Sequence, residues 1–109
     1  MLIEATEDAM LTLDDGTDGA VRVAGRLDAA QAAAAQAFLD RLSGEVVLDC
    51  RQLDYISSAG LGVLLKTQKR LTANAGRLRL RGLSPHVRDI FVYSGFDQII
   101  EIGKADPTA

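Results

Sequence analysis

Apolar and polar positions change period along the chain, and those changes divide it into short strands and three helices. Leu11 and Leu13, then Val21 and Val23, alternate with polar neighbours on either side of Asp14-Asp15-Gly16-Thr17-Asp18-Gly19, a pattern that predicts a β-hairpin. From Asp28 to Leu42 the spacing lengthens to a helical one. Ala30, Ala34, Ala37, Phe38 and Leu42 make one apolar stripe, with Asp28 placed as its N-cap. Glu45 to Cys50 is a short run, apolar on both faces at Val46, Val47 and Leu48, which predicts a central strand. Leu61, Leu64, Leu65, Gln68 and Leu71 recur at helical spacing and predict a helix from about Ser58 to Ala73, ended by Asn74-Ala75-Gly76.

Arg77 to Arg81 alternates strictly, predicting a strand with leucines inward and arginines on a wet, partly open face. Ser84-Pro85 is a helix start, with Ser as N-cap and Pro at the first helical position; Val87, Ile90 and Phe91 form the buried stripe and Gly95 the stop. Gln98 to Ile102 reads as a last strand. The expected fold is α/β, a single domain over residues 1–103 with a flexible tail at 104–109. Its order is β-β-α-β-α-β-α-β, a mixed sheet with helices packed mainly on one face.

Bulk composition narrows the function. With 109 residues, 48% of them hydrophobic and 25% charged, the chain has the make-up of a folded domain with one core. A formal charge of −3 argues against nucleic acid as a partner, because binding to the phosphate backbone is driven by basic surface. No apolar stretch is long enough to insert in a membrane, and the N-terminus lacks the pattern of a secretory signal. A lone Cys50 at the end of an apolar strand reads as a buried small hydrophobe. The expected location is the cytoplasm.

The residues that carry chemistry are Ser57-Ser58-Ala59-Gly60-Leu61-Gly62, two hydroxyls where a strand hands over to a helix. A helix N-terminus has unpartnered N–H groups and about half a positive charge, so a phosphate attached there is stabilised. Serine is equally a common N-cap, and the local pattern leaves both roles open. Gly60 and Gly62 are poor helix formers, each costing about 1 kcal/mol against Ala, which points to something approaching the backbone closely. Catalysis has little to work with. His86 is the one imidazole, at the surface start of a helix, and no nucleophile elbow surrounds Ser58. The acidic residues are scattered in turns and caps, with Glu7-Asp8 and Asp14-Asp15 read as solvated turn residues, and no nucleotide loop is present. The chain is therefore read as a non-enzyme without metal or cofactor.

With these motifs in view, the chain resembles the STAS domain family, and within it the stand-alone bacterial anti-sigma factor antagonists. Gly25-Arg26-Leu27-Asp28 is similar to the family's G-E-L-D element, and Leu48 to Ile56 to its strand and loop before the switch serine. Ser57 to Leu65 is similar to the D-S-[ST]-G-L-G-x-L-L signature, and Leu83 to Phe91 to the S-P-x-V-x-x-[LI]-F element. The resemblance places the phosphorylated serine on Ser58. It also puts Ser57, a rival acceptor, where the family has Asp, and Ala59 where it has a second hydroxyl. It implies phosphorylation-controlled partner switching. The unphosphorylated protein would bind an anti-sigma factor serine kinase, whose ATP and Mg²⁺ are its own. Phosphorylation would release it, and a PP2C-type phosphatase would restore it. The expected contact patch is Arg26, Asp28, Ser57, Ser58, Ala59, Gly60 and Leu61. The alternative implied by the same resemblance is a non-switching STAS subunit of a transporter or signalling complex.

Overall fold

The computed structural model describes residues 3–4, 11–16 and 18–103. Glu7-Asp8 and the expected tail at 104–109 lie outside the described residues. The elements are β1 (Ile3–Glu4), β2 (Leu11–Asp15), β3 (Val21–Leu27), α1 (Ala32–Leu39), β4 (Glu45–Ile56), α2 (Ser58–Ala73), β5 (Arg77–Arg81), α3 (Pro85–Ser94), a 3₁₀ turn (Phe96–Gln98) and β6 (Glu101–Ile102). The six strands lie side by side in chain order, the first three antiparallel and β3 to β6 parallel. Each parallel step is bridged by one helix, and the leucines and valines of the strands form a single core with these helices on one sheet face. The added strand β1 makes the order β-β-β-α-β-α-β-α-β.

Strand β4 runs six residues further than its apolar start suggests, because its pairing with β3 continues from Val21 opposite Leu48 to Leu27 opposite Ile56. Register shifts after Arg22 and Gly25 absorb extra residues of β4. Leu53 and Ile56, three apart, are therefore both buried, an interval that masks a strand in a sequence. On the other side β4 pairs with β5, so it is the central strand.

Two helical expectations need correction. α1 begins at Ala32 after Gln31, not at a cap formed by Asp28, and ends at Leu39. Asp28 instead closes the preceding turn, its Oδ1 accepting from the Ala30 N–H at 3.2 Å and its carbonyl from Gln31 N–H. The buried stripe is Ala35, Phe38 and Leu39, while Ala30, Ala34 and Ala37 face solvent; in a run of alanines the contrast between faces is too weak to fix the helical phase. After α3 the chain makes a 3₁₀ turn before only two residues join β5, so the last strand is shorter than 98–102. The helix-end signals of α2 and α3 fall where the sequence puts them. α2 spans Ser58–Ala73, Ser84 caps α3 through its bond from Val87 N–H, and Gly95 ends it in the left-handed region at φ 79°.

Candidate functional site

The serine pair sits where the two adjoining parallel strands end. β4 finishes on buried Ile56, and Ser57 N–H donates to the Leu27 carbonyl at 3.0 Å, tying the end of β4 to the end of β3. Ser57 is extended (φ −95°, ψ 176°), as an N-cap must be. Its hydroxyl oxygen accepts from Gly60 N–H at 3.3 Å, and its carbonyl accepts the first helical bond from Leu61 N–H at 2.9 Å. Ser58 is the first residue of α2 and is exposed. Among the described residues no hydrogen bond engages its hydroxyl. The two adjacent serines thus divide the local duties, one closing the helix and the other facing solvent.

The two glycines divide in the same way. A Cβ built on Gly60 would overlap the Leu27 carbonyl oxygen and lie 2.8 Å from Ile56 Cγ1, so only glycine lets the first turn of α2 sit on the end of β3. The close approach at this position is internal. A Cβ on Gly62 would meet nothing within 4 Å, and no feature of the fold requires a glycine there.

The remaining patch residues gather around this junction at different depths. Arg26 is exposed on β3, its guanidinium 4.4 Å over the Tyr55 ring and its Nε 3.7 Å from Asp28 Oδ2. Such a pair at the surface contributes little to stability. Ala59 is half-buried, whereas Gly60 and Leu61 are buried against the core and support the turn from beneath.

A second polar feature, on the sheet face that the helices leave open, joins residues far apart in the chain. Asp14, Arg22, Asp49 and Arg81 stand in one row across four strands, positive alternating with negative. Asp14 is therefore a strand residue rather than a turn residue, and it holds Arg22 through two bonds of 2.8 and 3.1 Å. Asp49 is buried, and its carboxylate accepts from Arg51 Nη2 at 2.6 Å and from the Arg51 backbone. The Arg51 guanidinium holds Asp49 below the usual carboxylate range even though burial opposes it. Asp18, from the β2–β3 loop, reaches across to Arg81. A shallow depression of about 310 Å³ is lined by Arg22, Asp49, Arg51 and Gln52. The leucine–arginine alternation of β5 signals part of this row, but Arg51 and Gln52 lie beyond the apolar run that marks β4 in the sequence.

Catalytic groups are sparse. Burial pushes the Cys50 thiol up to about 12, which makes it a packing group rather than a nucleophile. His86 is exposed at the start of α3. Among the described residues no group of three or more His, Cys, Asp and Glu could hold a metal ion, and no helix is long and apolar enough to cross a membrane.

Comparison with known proteins places this geometry. The family profile described as "Mlab, STAS domain" matches residues 11–101. BtrV of Bordetella bronchiseptica, named as an anti-sigma factor antagonist, is 45% identical over 71 residues, which is 65% of this chain and 61% of that protein. The match thus spans about three-fifths of that relative's length. An anti-sigma factor antagonist from Mycobacterium paratuberculosis superposes with a TM-score of 0.72 at 20% identity, covering 91% of this chain and 89% of that one. The Bacillus cell fate determinant SpoIIAA in its phosphorylated form superposes with a TM-score of 0.62 at 24% identity, covering 86% of this chain and 91% of that one. These likenesses establish a shared fold.

Proposed function

The chain belongs to the STAS domain family, and from that premise we propose that it is an anti-sigma factor antagonist controlled by phosphorylation of Ser58. The supporting observation is the division of labour at the start of α2: the Ser57 hydroxyl is held in the cap, while Ser58 stands exposed with its hydroxyl unengaged among the described residues. Ser58 is therefore the acceptor, in preference to Ser57. The unphosphorylated protein binds a serine kinase that also acts as the anti-sigma factor, in the cytoplasm, through a patch of Arg26, Asp28, Ser57, Ser58 and Ala59. ATP and Mg²⁺ belong to that kinase. A PP2C-type phosphatase resets the switch, and the antagonist itself performs no catalysis.

Phosphate brings about −1.5 to −2 charges and three acceptor oxygens to a small hydroxyl. On the free domain the helix N-terminus favours it by roughly 0.3–1 kcal/mol, so the modification does not unfold the protein. Inside an interface the same group brings like-charge repulsion or unpaired polar atoms that cost several kcal/mol. About 5.5 kcal/mol carries a two-state binding equilibrium from 99:1 to 1:99. One phosphate thus suffices without any change of fold.

Site-resolved mass spectrometry after incubation with ATP, Mg²⁺ and the serine kinases of the source cell tests this directly. Phosphate on Ser58, absent from Ser58→Ala, is the expected result, and Ser58→Asp should lose kinase binding with an unchanged circular dichroism spectrum. Phosphate confined to Ser57, or none with any kinase that binds, would refute the assignment. In the latter case the protein would be a non-switching STAS subunit.

A further inference from the structure

α2 carries only positive charge within a chain that is acidic as a whole. The protein carries a net charge of −3, yet the sixteen residues Ser58–Ala73 include no Asp or Glu and three cations, Lys66, Lys69 and Arg70. Arg70 is engaged within the domain, its Nη2 donating to the carbonyls of Leu39 and Leu42 at 2.9 Å and its Nε lying 3.6 Å from Asp40. Lys66 and Lys69 are both exposed, and among the described residues neither has an ion pair or hydrogen bond.

These lysines continue the line that begins at Ser58. At about 100° per residue, Ser58, Gly62, Leu65, Lys66 and Lys69 fall within roughly one 100° arc of the helix surface. Leu65 is half-buried, leaving some apolar surface on the stripe. Gly62 lies in it with open space where a side chain would project. A glycine inside a helix costs about 1 kcal/mol against alanine, and the fold does not use this one. Its effect is to lower the surface one turn beyond Ser58, so that a partner backbone can come close. A straight stripe that is low and apolar near one end and doubly cationic at the other matches a helix packed along it with carboxylates toward Lys66 and Lys69.

We infer that the outward stripe of α2, from Ser58 through Gly62 to Lys66 and Lys69, is the docking track for an acidic helical segment of the protein's partner. This rests on the partner-binding reading above and adds the partner's chemistry. Ser58 then sits at one end of the contact, and the lysines hold the acidic segment in register over it.

In-cell photo-crosslinking tests the track whatever the partner's identity. A photoreactive residue replaces exposed Thr72, at the far end of the stripe, in an otherwise native chain; a second protein carries it at Arg79 on the open sheet face. The expected product joins position 72 to a partner segment with an excess of Asp and Glu, and position 79 does not give it. Its yield should fall about tenfold in the double variant Lys66→Glu/Lys69→Glu, as expected when interfacial charge pairs become repulsive. The inference is overturned by an undiminished yield in that variant or by a crosslinked segment without acidic excess. It is equally overturned by a product with a second copy of this chain, or by no product at position 72. Ser58→Asp separates the two readings. If it abolishes the product while the lysine reversal does not, the switch stands and the track fails; the opposite pattern keeps the track and removes the switch.

Discussion

The inner and outer sides of the first turns of α2 each present a serine and a glycine, and the two pairs do opposite things. Ser57 and Gly60 face the domain: one hydroxyl caps the helix, and one missing side chain lets the Leu27 carbonyl in. Ser58 and Gly62 face away, and among the described residues the hydroxyl has no hydrogen bond and the space beside Gly62 no neighbour. The inner pair is explained entirely by folding. The outer pair is not, and choices that folding leaves unexplained are where binding is to be sought.

Substitutions sharpen or break this contrast. The largest effect is expected at Gly60, where an added methyl would overlap backbone and side chain of β3 and β4. Overpacking of this kind costs about 1–3 kcal/mol, and contact with a backbone carbonyl places Gly60→Ala near the upper end. Urea denaturation should report that loss; a cost below about 0.5 kcal/mol, the usual range for a surface change, would mean that the strand–helix junction yields easily and the inner half of the contrast is wrong. Next comes the serine pair. Ser57→Ala should lose about 1 kcal/mol as a cap is removed, whereas Ser58→Ala should stay within about 0.5 kcal/mol of the parent protein. Equal losses in parallel thermal melts would erase the distinction between cap and free hydroxyl. The smallest shift has the opposite sign: Gly62→Ala should raise stability by about 0.5–1 kcal/mol while weakening partner binding. A variant that is destabilised would show that the fold does use Gly62.

Much of the architecture is legible in the sequence because punctuation and period agree. Ser84-Pro85, Gly95 and the leucine spacing of α2 each have one local solution, and tertiary contacts leave them unchanged. Legibility ends where local contrast is absent or long-range pairing rules. In α1 neighbouring alanines look alike on every face, so the pattern points to a side one step out of phase with the buried one. In β4 the irregular register with β3 hides Arg51 to Ile56 as strand. The serines and glycines at the start of α2 can be picked out from sequence as candidates. Which glycine belongs to the fold cannot, since the deciding contact comes from Leu27, more than thirty residues upstream.

The row of Asp14, Arg22, Asp49 and Arg81 has a bearing on how a partner finds this protein. Because opposite charges alternate at neighbouring strands, the row's fields largely cancel within a Debye length of about 8 Å at physiological ionic strength. The open face then exerts little pull on a molecule diffusing past, while Lys66 and Lys69 of α2, unpaired among the described residues, keep theirs. Encounters would be oriented before contact, and association would slow with added salt through one helix rather than through the whole surface.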